Sequence, residues 1–171
     1  MKHVFLIYEN CCLYEVMILN YFLSVTQQEM VFCSLDGKPV RAMEGYSLNP
    51  DMALRELTDD AIASFMVPGG DISKIDVEEV HTLLAQLHEK KVLVGAICAG
   101  VEVLEHAGIL EGIESTCSKV ADVCKDRKVI TARPNAYVDF AIEVAKELEL
   151  FEDEADLQET IDFWKYHKYI P

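Results

Sequence analysis

The chain of 171 residues contains 30 Asp and Glu against 15 Lys and Arg, which gives a formal net charge of −15 at pH 7. Phosphate backbones and anionic membranes repel such a surface, so we expect no nucleic-acid partner and no membrane partner. No apolar run is long enough to cross a bilayer, and the first residues lack the features of an export signal. We therefore expect a cytoplasmic protein.

Six cysteines raise the question of disulfides or metal binding. A chain of this length with 51% hydrophobic residues can build a core without disulfides, which favours a reducing compartment. The spacing of Cys11, Cys12, Cys117 and Cys124 fits no zinc motif. We predict neither a metal nor a cofactor.

Apolar runs alternate with helical patterns through the first half of the chain. Predicted in order are a strand (4–8), a buried helix (14–25), a second strand (30–35), a small antiparallel excursion (40–49) and a further strand (64–67). The last strand runs into Pro68, Gly69 and Gly70, which predict a tight loop.

The second half of the chain continues the alternation. Asp76 and Glu79 resemble a capping box at the start of a helix. Predicted after that helix are a buried strand (92–97), two short strands (115–117 and 129–131), a helix (136–148) and a last amphipathic helix through Leu157, Ile161 and Trp164.

This alternation predicts one α/β domain over residues 1–171, with a mostly parallel sheet and helices on both faces. In such sheets, ligands bind beyond the carboxyl ends of the strands. Three loops are expected at that edge: the loop after Tyr8, the loop at 68–70 and the turn at Cys98.

The run 92–100 reads Val-Leu-Val-Gly-Ala-Ile-Cys-Ala-Gly and predicts a buried strand that turns directly into a helix at Cys98. A sharp strand-to-helix turn exposes the nucleophile in many hydrolases. A helix N-terminus favours the thiolate, which is the nucleophilic form of cysteine. Cys98 is therefore the candidate reactive residue, and the alternative is a small core cysteine.

Four segments together resemble the ThiJ/PfpI family of the class I glutamine amidotransferase-like superfamily. They are Tyr14-Glu15, Val67-Pro68-Gly69-Gly70, Gly95-Ala96-Ile97-Cys98-Ala99-Gly100 and Ile130-Thr131-Ala132-Arg133. The resemblance runs from Val4 to about Leu148. It implies a flavodoxin-like three-layer sandwich with the elbow cysteine as its reactive centre.

The resemblance also implies roles for individual residues. Glu15 matches the acidic residue that contacts the cysteine sulfur, Gly70 the loop glycine whose N–H faces the site, and Ala99 the donor that follows the nucleophile. A carboxylic acid beside a thiolate has a raised pKa and can donate a hydrogen bond to it. Two converging N–H groups could hold an oxyanion. Asp71 and Arg133 are expected to line the pocket.

The chain departs from the family at the histidine that hydrolase-like members place near the cysteine. Ala99 stands where one branch has this histidine, and Cys117 stands where another branch has it. A cysteine cannot replace imidazole as a general base near neutral pH. The five histidines of the chain occupy other positions, so a peptidase is not expected.

We expect Cys98 to add to a small electrophile in a hydratase-, glyoxalase- or deglycase-like reaction. One alternative is a non-enzymatic redox or stress sensor in which Cys98 is reversibly oxidised, and another is a protein that retains only the fold. Cys117 is a candidate second thiol that could resolve an oxidised Cys98, and Cys11 and Cys12 could also approach the site. The competing interpretation of all three is that they are small, semi-buried residues.

Residues 149–171 form a predicted helical extension beyond the family core, with an aromatic-rich end. We expect this extra C-terminal helix to dock on its own domain, and the alternatives are a dimer interface or a substrate lid. The family also implies a homodimer.

Overall fold

The computed structural model describes residues 1–58 and 61–169. Ile170 and Pro171, at the end of the predicted extension, lie outside the described residues. The strands and helices are, in chain order, β1 (Lys2–Leu6), α1 (Tyr14–Val25), β2 (Met30–Ser34), β3 (Val40–Arg41), β4 (Ser47–Leu48), β5 (Met52–Ala53), β6 (Ile62–Val67), α2 (Glu78–Glu89), β7 (Leu93–Ile97), α3 (Gly100–His106), β8 (Val123–Asp126), β9 (Val129–Ala132), α4 (Tyr137–Glu147) and α5 (Glu154–Trp164).

A seven-stranded sheet with the order β5-β2-β1-β6-β7-β9-β8 forms the middle layer of the described chain. Every neighbouring pair is parallel except β8 and β9, which are antiparallel. The central strand β7 is buried along its whole length, as is typical of a parallel sheet that is covered on both faces. The strands β3 and β4 form a separate antiparallel hairpin, which confirms the excursion predicted at 40–49.

Helices cover both faces of the sheet. Buried side chains of α2 and α3, including Leu84 and Leu104, pack on one face. Buried side chains of α1 and α4, including Leu19 and Phe140, pack on the other. The predicted flavodoxin-like three-layer α/β sandwich is confirmed.

Helix α1 has the bounds that the sequence predicts. Its buried side includes Val16, Leu19 and Leu23, which recur at helical spacing. The side chain of Leu13 cannot cap the helix, and the Glu44 carboxylate accepts the Tyr14 N–H instead, at 2.8 Å. A carboxylate at a helix N-terminus is stabilising, so a distant residue fixes where α1 begins.

The predicted strand at Ser115–Cys117 is wrong, because this segment forms a turn. The N–H groups of Ser118 and Lys119 both donate to the Ser115 carbonyl, and the Ser118 hydroxyl accepts the Ser115 N–H at 3.0 Å. Such local side-chain bonds compete with strand pairing. The antiparallel strand at the edge of the sheet, next to β9, is instead β8, a few residues later. The sequence did not indicate this strand.

The predicted capping box at Asp76 and Glu79 is also wrong. Val77 occupies the N-cap position of α2 and makes no side-chain capping bond. The Asp76 carboxylate accepts hydrogen bonds from His81 Nε2 at 2.7 Å and from His106 Nδ1 at 2.9 Å. Asp76 therefore joins α2 to α3 rather than capping α2.

The C-terminal helix α5 packs on its own chain. The Trp164 ring lies 5.5 Å from the Tyr21 ring and 5.9 Å from the Phe22 ring of α1, measured between centroids. Lys165 forms an ion pair with Asp139 of α4 at 2.6 Å. The prediction of an extra C-terminal helix docked on its own domain is confirmed. None of the helices in the described ranges is long and apolar enough to span a membrane.

Trp164→Ala tests the docking of α5. The Trp164 side chain is only partly buried, so we expect a loss of about 2 kcal/mol in the free energy of unfolding, below the roughly 3–5 kcal/mol of a fully buried aromatic. Urea unfolding followed by circular dichroism measures it. Tyr169→Ala is the matched control, because Tyr169 is 87% exposed and should change stability by less than about 0.5 kcal/mol. Equal losses in the two variants would contradict this docking.

Candidate active site

Two of the three predicted loops are joined by a short antiparallel bridge. Cys11 pairs with Gly70, and the hydrogen bonds on either side run from Cys12 N to Gly69 O at 2.8 Å and from Asp71 N to Asn10 O at 3.1 Å. The bridge fixes the loop after β1 against the loop after β6. These loops lie at the carboxyl ends of adjacent strands, as ligand sites in parallel sheets do.

Cys98 forms the third part of the site. It follows β7 directly, its N–H donates to the Ala132 carbonyl of the neighbouring strand at 2.9 Å, and its φ is +57°. A positive φ is uncommon in residues other than glycine and often marks a functional constraint. The strained turn leaves the thiol half-buried rather than enclosed in the core. This is the geometry of a nucleophile elbow.

Glu15 brings a buried carboxyl group to that thiol. Its exposed fraction is only 1%, although it stands in the first turn of α1. Its Oε2 accepts the Gly69 N–H at 2.6 Å, its Oε1 accepts the Tyr14 hydroxyl at 3.4 Å, and the carboxyl group is hydrogen-bonded to the Cys98 thiol. Buried carboxyl groups need such partners, and three groups from different parts of the site supply them.

Both glycines of the loop are required by close contacts. A Cβ on Gly69 would lie 2.6 Å from the Cys98 Cβ and 2.9 Å from its Sγ. Gly70 has a φ of +124°, and a Cβ there would lie 2.2 Å from the Asn10 carbonyl oxygen. Only glycine avoids these close contacts and tolerates the positive φ. The Gly69-Gly70 pair therefore allows the loop after β6 to lie against the Cys98 thiol and the loop after β1.

The electrostatics of the site differ from the sequence prediction. Burial and the neighbouring Glu15 carboxylate raise the pKa of the Cys98 thiol to about 11, and the hydrogen bond from the Ala99 N–H only partly offsets them. The expected lowering of the thiol pKa by the following helix is therefore wrong. Helix α3 has only seven residues, and its N-terminus does not outweigh a buried carboxylate beside the sulfur.

The pKa of the Glu15 carboxyl group is also raised, mainly by burial and against the hydrogen bond from Gly69. The cause is thus chiefly desolvation, whereas the sequence prediction named the charge of the sulfur. Two acids in one poorly hydrated site resist carrying two negative charges, so the ionisations of Cys98 and Glu15 oppose each other.

The structure brings together Cys98, Glu15 and Ala99, three of the residues singled out from the sequence. The Ala99 N–H acts as a donor toward the Cys98 sulfur and lowers the pKa of the thiol, and its contact with an oxyanion stays a prediction. The two hydrogen bonds of the bridge at Gly70 run from its neighbours, so the Gly70 N–H does not take part in the bridge. Its contact with an oxyanion stays a prediction.

The other predicted residues have different surroundings. Cys117 is exposed, and the charges that act on it are those of Glu105 and Glu102 on α3. The Asp71 carboxylate accepts the Ser73 hydroxyl at 2.6 Å. The Arg133 Nε donates to the Ala121 carbonyl at 3.0 Å. Roles for these three residues at the pocket stay predictions.

Two contributors escaped the sequence analysis. The Gly69 N–H holds Glu15 in place, and the Tyr14 hydroxyl contacts the second oxygen of the same carboxyl group. The Gly-Gly pair predicted a turn and not a donor at Gly69, and the position of Tyr14 directly before Glu15 was the signal available for the hydroxyl. Cys12, which the sequence analysis expected near the site, is a half-buried thiol whose pKa is raised by burial, by Glu15 and by Cys98. Across residues 1–58 and 61–169, no group of three or more His, Cys, Asp and Glu could hold a metal ion.

Comparison with known proteins agrees with this fold. A family model described as the DJ-1/PfpI family matches residues 1–147. The chain belongs to this family. Among solved structures, that of the DJ-1 superfamily protein Atu0886 from Agrobacterium tumefaciens superimposes with a TM-score of 0.86 at 24% identity, covering 98% of this chain and 100% of that one. At this identity the likeness speaks for the fold alone.

Two relatives carry names that describe an activity. The chain is 25% identical over 151 residues to the glutathione-independent glyoxalase DJR-1.2 of Caenorhabditis elegans, which covers 79% of this chain and 81% of that protein. It is 28% identical over 91 residues to the deglycase TK1284 of Thermococcus kodakarensis, which covers 52% of this chain and 54% of that protein. The second match therefore spans about half of each partner.

The coupling between Cys98 and Glu15 is testable by alkylation. We expect the rate of Cys98 alkylation by iodoacetamide to rise with an apparent pKa well above the free value of about 8.5, because burial and Glu15 both disfavour the thiolate. Glu15→Gln should lower this apparent pKa by removing the charge. Peptide mass spectrometry isolates Cys98 from the other thiols, and Glu102→Gln, which removes a more weakly coupled charge, should have a smaller effect. A parent pKa below about 8.5 would contradict the arrangement.

The raised pKa of Glu15 also predicts a pH dependence of stability. The folded chain holds the Glu15 proton more tightly than the unfolded chain, so ionisation destabilises the fold as pH rises above the unfolded value of about 4.3. We expect Glu15→Gln to raise Tm near pH 8 and this gain to shrink toward pH 4. Calorimetry across that range measures it. Glu102→Gln, at an exposed position, serves as control, and a gain independent of pH would be the contrary result.

Proposed function

We propose that this protein is a cysteine-dependent enzyme of the glyoxalase or deglycase type, in which Cys98 adds to a small neutral dicarbonyl. The observation that carries the proposal is a thiol on a strained elbow beside a buried carboxyl group. The names of the two relatives support the substrate class. The small electrophile as partner and the homodimer stay proposals.

Glu15 is the general base in this scheme. The Cys98 sulfur attacks the aldehyde carbon, so that an S–C bond forms while the carbonyl electrons move to oxygen. Glu15 takes the thiol proton and returns it to that oxygen, which gives a hemithioacetal. Proton transfer to a positioned carboxylate during the attack allows a thiol of high pKa to react near neutral pH. The thiolate does not need to form beforehand.

The Ala99 N–H can stabilise the oxygen during the attack, because it already points at the sulfur from the elbow. A proton then moves from the hydroxyl-bearing carbon to the neighbouring carbonyl carbon through Glu15, and the hydroxyl proton passes to the neighbouring carbonyl oxygen. These two transfers convert the hemithioacetal to the thioester of a 2-hydroxy acid. Water hydrolyses the thioester to a 2-hydroxy acid and frees the thiol. The sequence of steps consumes one water and no oxidant.

The charges around the thiol favour neutral substrates. Glu15 and Glu102 both raise the pKa of Cys98, and Glu44 acts in the same direction on Cys12 and Glu15. An anionic substrate would meet the same repulsion as a thiolate does. A neutral dicarbonyl such as methylglyoxal avoids this repulsion until the attack. The negative charge that then develops on its oxygen is stabilised by the Ala99 N–H and neutralised by the proton from Glu15.

Methylglyoxal turnover tests the proposal. We expect the parent protein to convert methylglyoxal to lactate, Cys98→Ala to abolish conversion, and Glu15→Gln to reduce kcat by about 10²–10⁴-fold, the usual range for loss of a general base. Consumption of substrate and formation of lactate are measured together.

The sharpest readout is the contrast between turnover and alkylation. Glu15→Gln should slow turnover while its thiol is alkylated faster, because the substitution removes both the base and the repulsion. Cys117→Ser should match the parent in both assays. Turnover that is absent in the parent, or that survives in Cys98→Ala, would refute the proposed reaction.

A further inference from the structure

A second thiol lies beside the reactive one. Cys12 and Cys98 both touch Gly69: the Cys12 N–H donates to the Gly69 carbonyl at 2.8 Å, and the Cys98 Sγ lies where a Gly69 Cβ would be 2.9 Å away. A single residue without a side chain therefore separates the two cysteines. A disulfide needs Cα atoms within about 7 Å, and two cysteines that contact the same glycine are candidates for such a separation.

The charge of Cys98 also contributes to raising the pKa of Cys12, after burial and Glu15. This effect agrees with the contacts to Gly69, since such influence falls with distance.

The remaining cysteines have other environments. Cys11 is fully buried, with its side chain in the core, although it precedes Cys12 in sequence. Cys33 and Cys124 are buried in β2 and β8. Cys117 is exposed beside the acidic residues of α3. Only Cys12, of the five, is both half-buried and coupled to the site.

Cys12 has room to move. Its Sγ contacts the Met43 Sδ at 3.8 Å, a weak interaction between half-exposed groups. Cys12 lies after the bridge and before α1, outside regular secondary structure. A change of its side-chain rotamer can exchange the Met43 contact for Cys98, while the backbone stays attached to Gly69.

We propose that Cys12 is the resolving thiol of Cys98, so that a peroxide converts the pair to a reversible disulfide. Hydrogen peroxide first oxidises the Cys98 thiol: the O–O bond breaks, an S–O bond forms to give the sulfenic acid, and one water leaves. The Cys12 sulfur then attacks the Cys98 sulfur. The S–S bond forms as the S–O bond breaks, and the Cys12 proton leaves with the hydroxyl as a second water. The two thiols supply the two electrons.

The disulfide protects the reactive cysteine from irreversible damage. A sulfenic acid without a partner goes on to sulfinic acid, which ordinary thiol reductants do not reverse. With Cys12 as partner, a dithiol reductant restores both thiols. The inference requires Cys98 to react with peroxide, and it does not require the protein to turn over dicarbonyls.

The test treats the full chain with one equivalent of hydrogen peroxide, blocks the remaining thiols with N-ethylmaleimide, and maps peptides without reduction. We expect a peptide linked through Cys12 and Cys98, and we expect dithiothreitol to restore alkylation of Cys98. In Cys12→Ser, Cys98 should accumulate as sulfinic acid that dithiothreitol does not recover. Cys117→Ser, the matched control, should behave as the parent.

Three results would overturn the inference. They are a parent without the linked peptide, a Cys98 bonded to a different cysteine, and equal sulfinic acid formation in the parent and in Cys12→Ser. Methylglyoxal turnover by the reduced parent separates these outcomes from the proposed function. A parent that turns over methylglyoxal but forms no peptide linked through Cys12 and Cys98 overturns the redox inference alone, and a parent that forms the linked peptide without turnover overturns the proposed function alone.

Discussion

The hydrogen bond between the Gly69 N–H and the Glu15 carboxyl group, at 2.6 Å, is the contact on which the site depends. It joins the start of α1 to the end of β6 and holds a carboxyl group where water cannot reach it. Without this donor, a carboxyl group that is 1% exposed would have to leave the interior or lose its charge. Because the Glu15 carboxyl group stays in the interior, it lies beside the Cys98 thiol and can exchange a proton with it.

The rest of the architecture serves to present Cys98 to that acid. Strand β7 places the cysteine at the carboxyl edge of the sheet, and after the left-handed turn at φ +57° the thiol is half-buried rather than enclosed in the core. The glycine pair lets the adjacent loops approach within contact distance. The strain of the elbow is therefore supported by a sheet that is buried on both faces, which is how rigid scaffolds keep unusual backbone conformations.

Much of this arrangement could be predicted from the sequence, because it depends on local patterns. The apolar stripe of α1 predicts the extent of that helix, and the small residues around Cys98 predict a strand-to-helix elbow. The pKa of Cys98 was predicted with the wrong sign because it depends first on the burial of the thiol and then on the Glu15 carboxylate, which is held by the β6 loop from 54 residues away. The strand at Ser115–Cys117 failed for a local reason, since the hydroxyl of the adjacent Ser118 accepts the Ser115 N–H and a turn forms. The place of Cys12 follows from a bridge between two loops, and no periodicity in either loop records it.

The antiparallel strand β8 has a consequence for the behaviour of the protein at high concentration. It closes one side of the sheet with four residues, two of them the charged Lys125 and Asp126, while the opposite side ends at the two-residue strand β5. Long, flat and apolar edges are the templates on which further chains add as fibrils. Because the edge strands β5 and β8 are short and β8 carries two charged residues, neither edge is a good template for another strand. The fold therefore disfavours intermolecular strand addition to its parallel sheet.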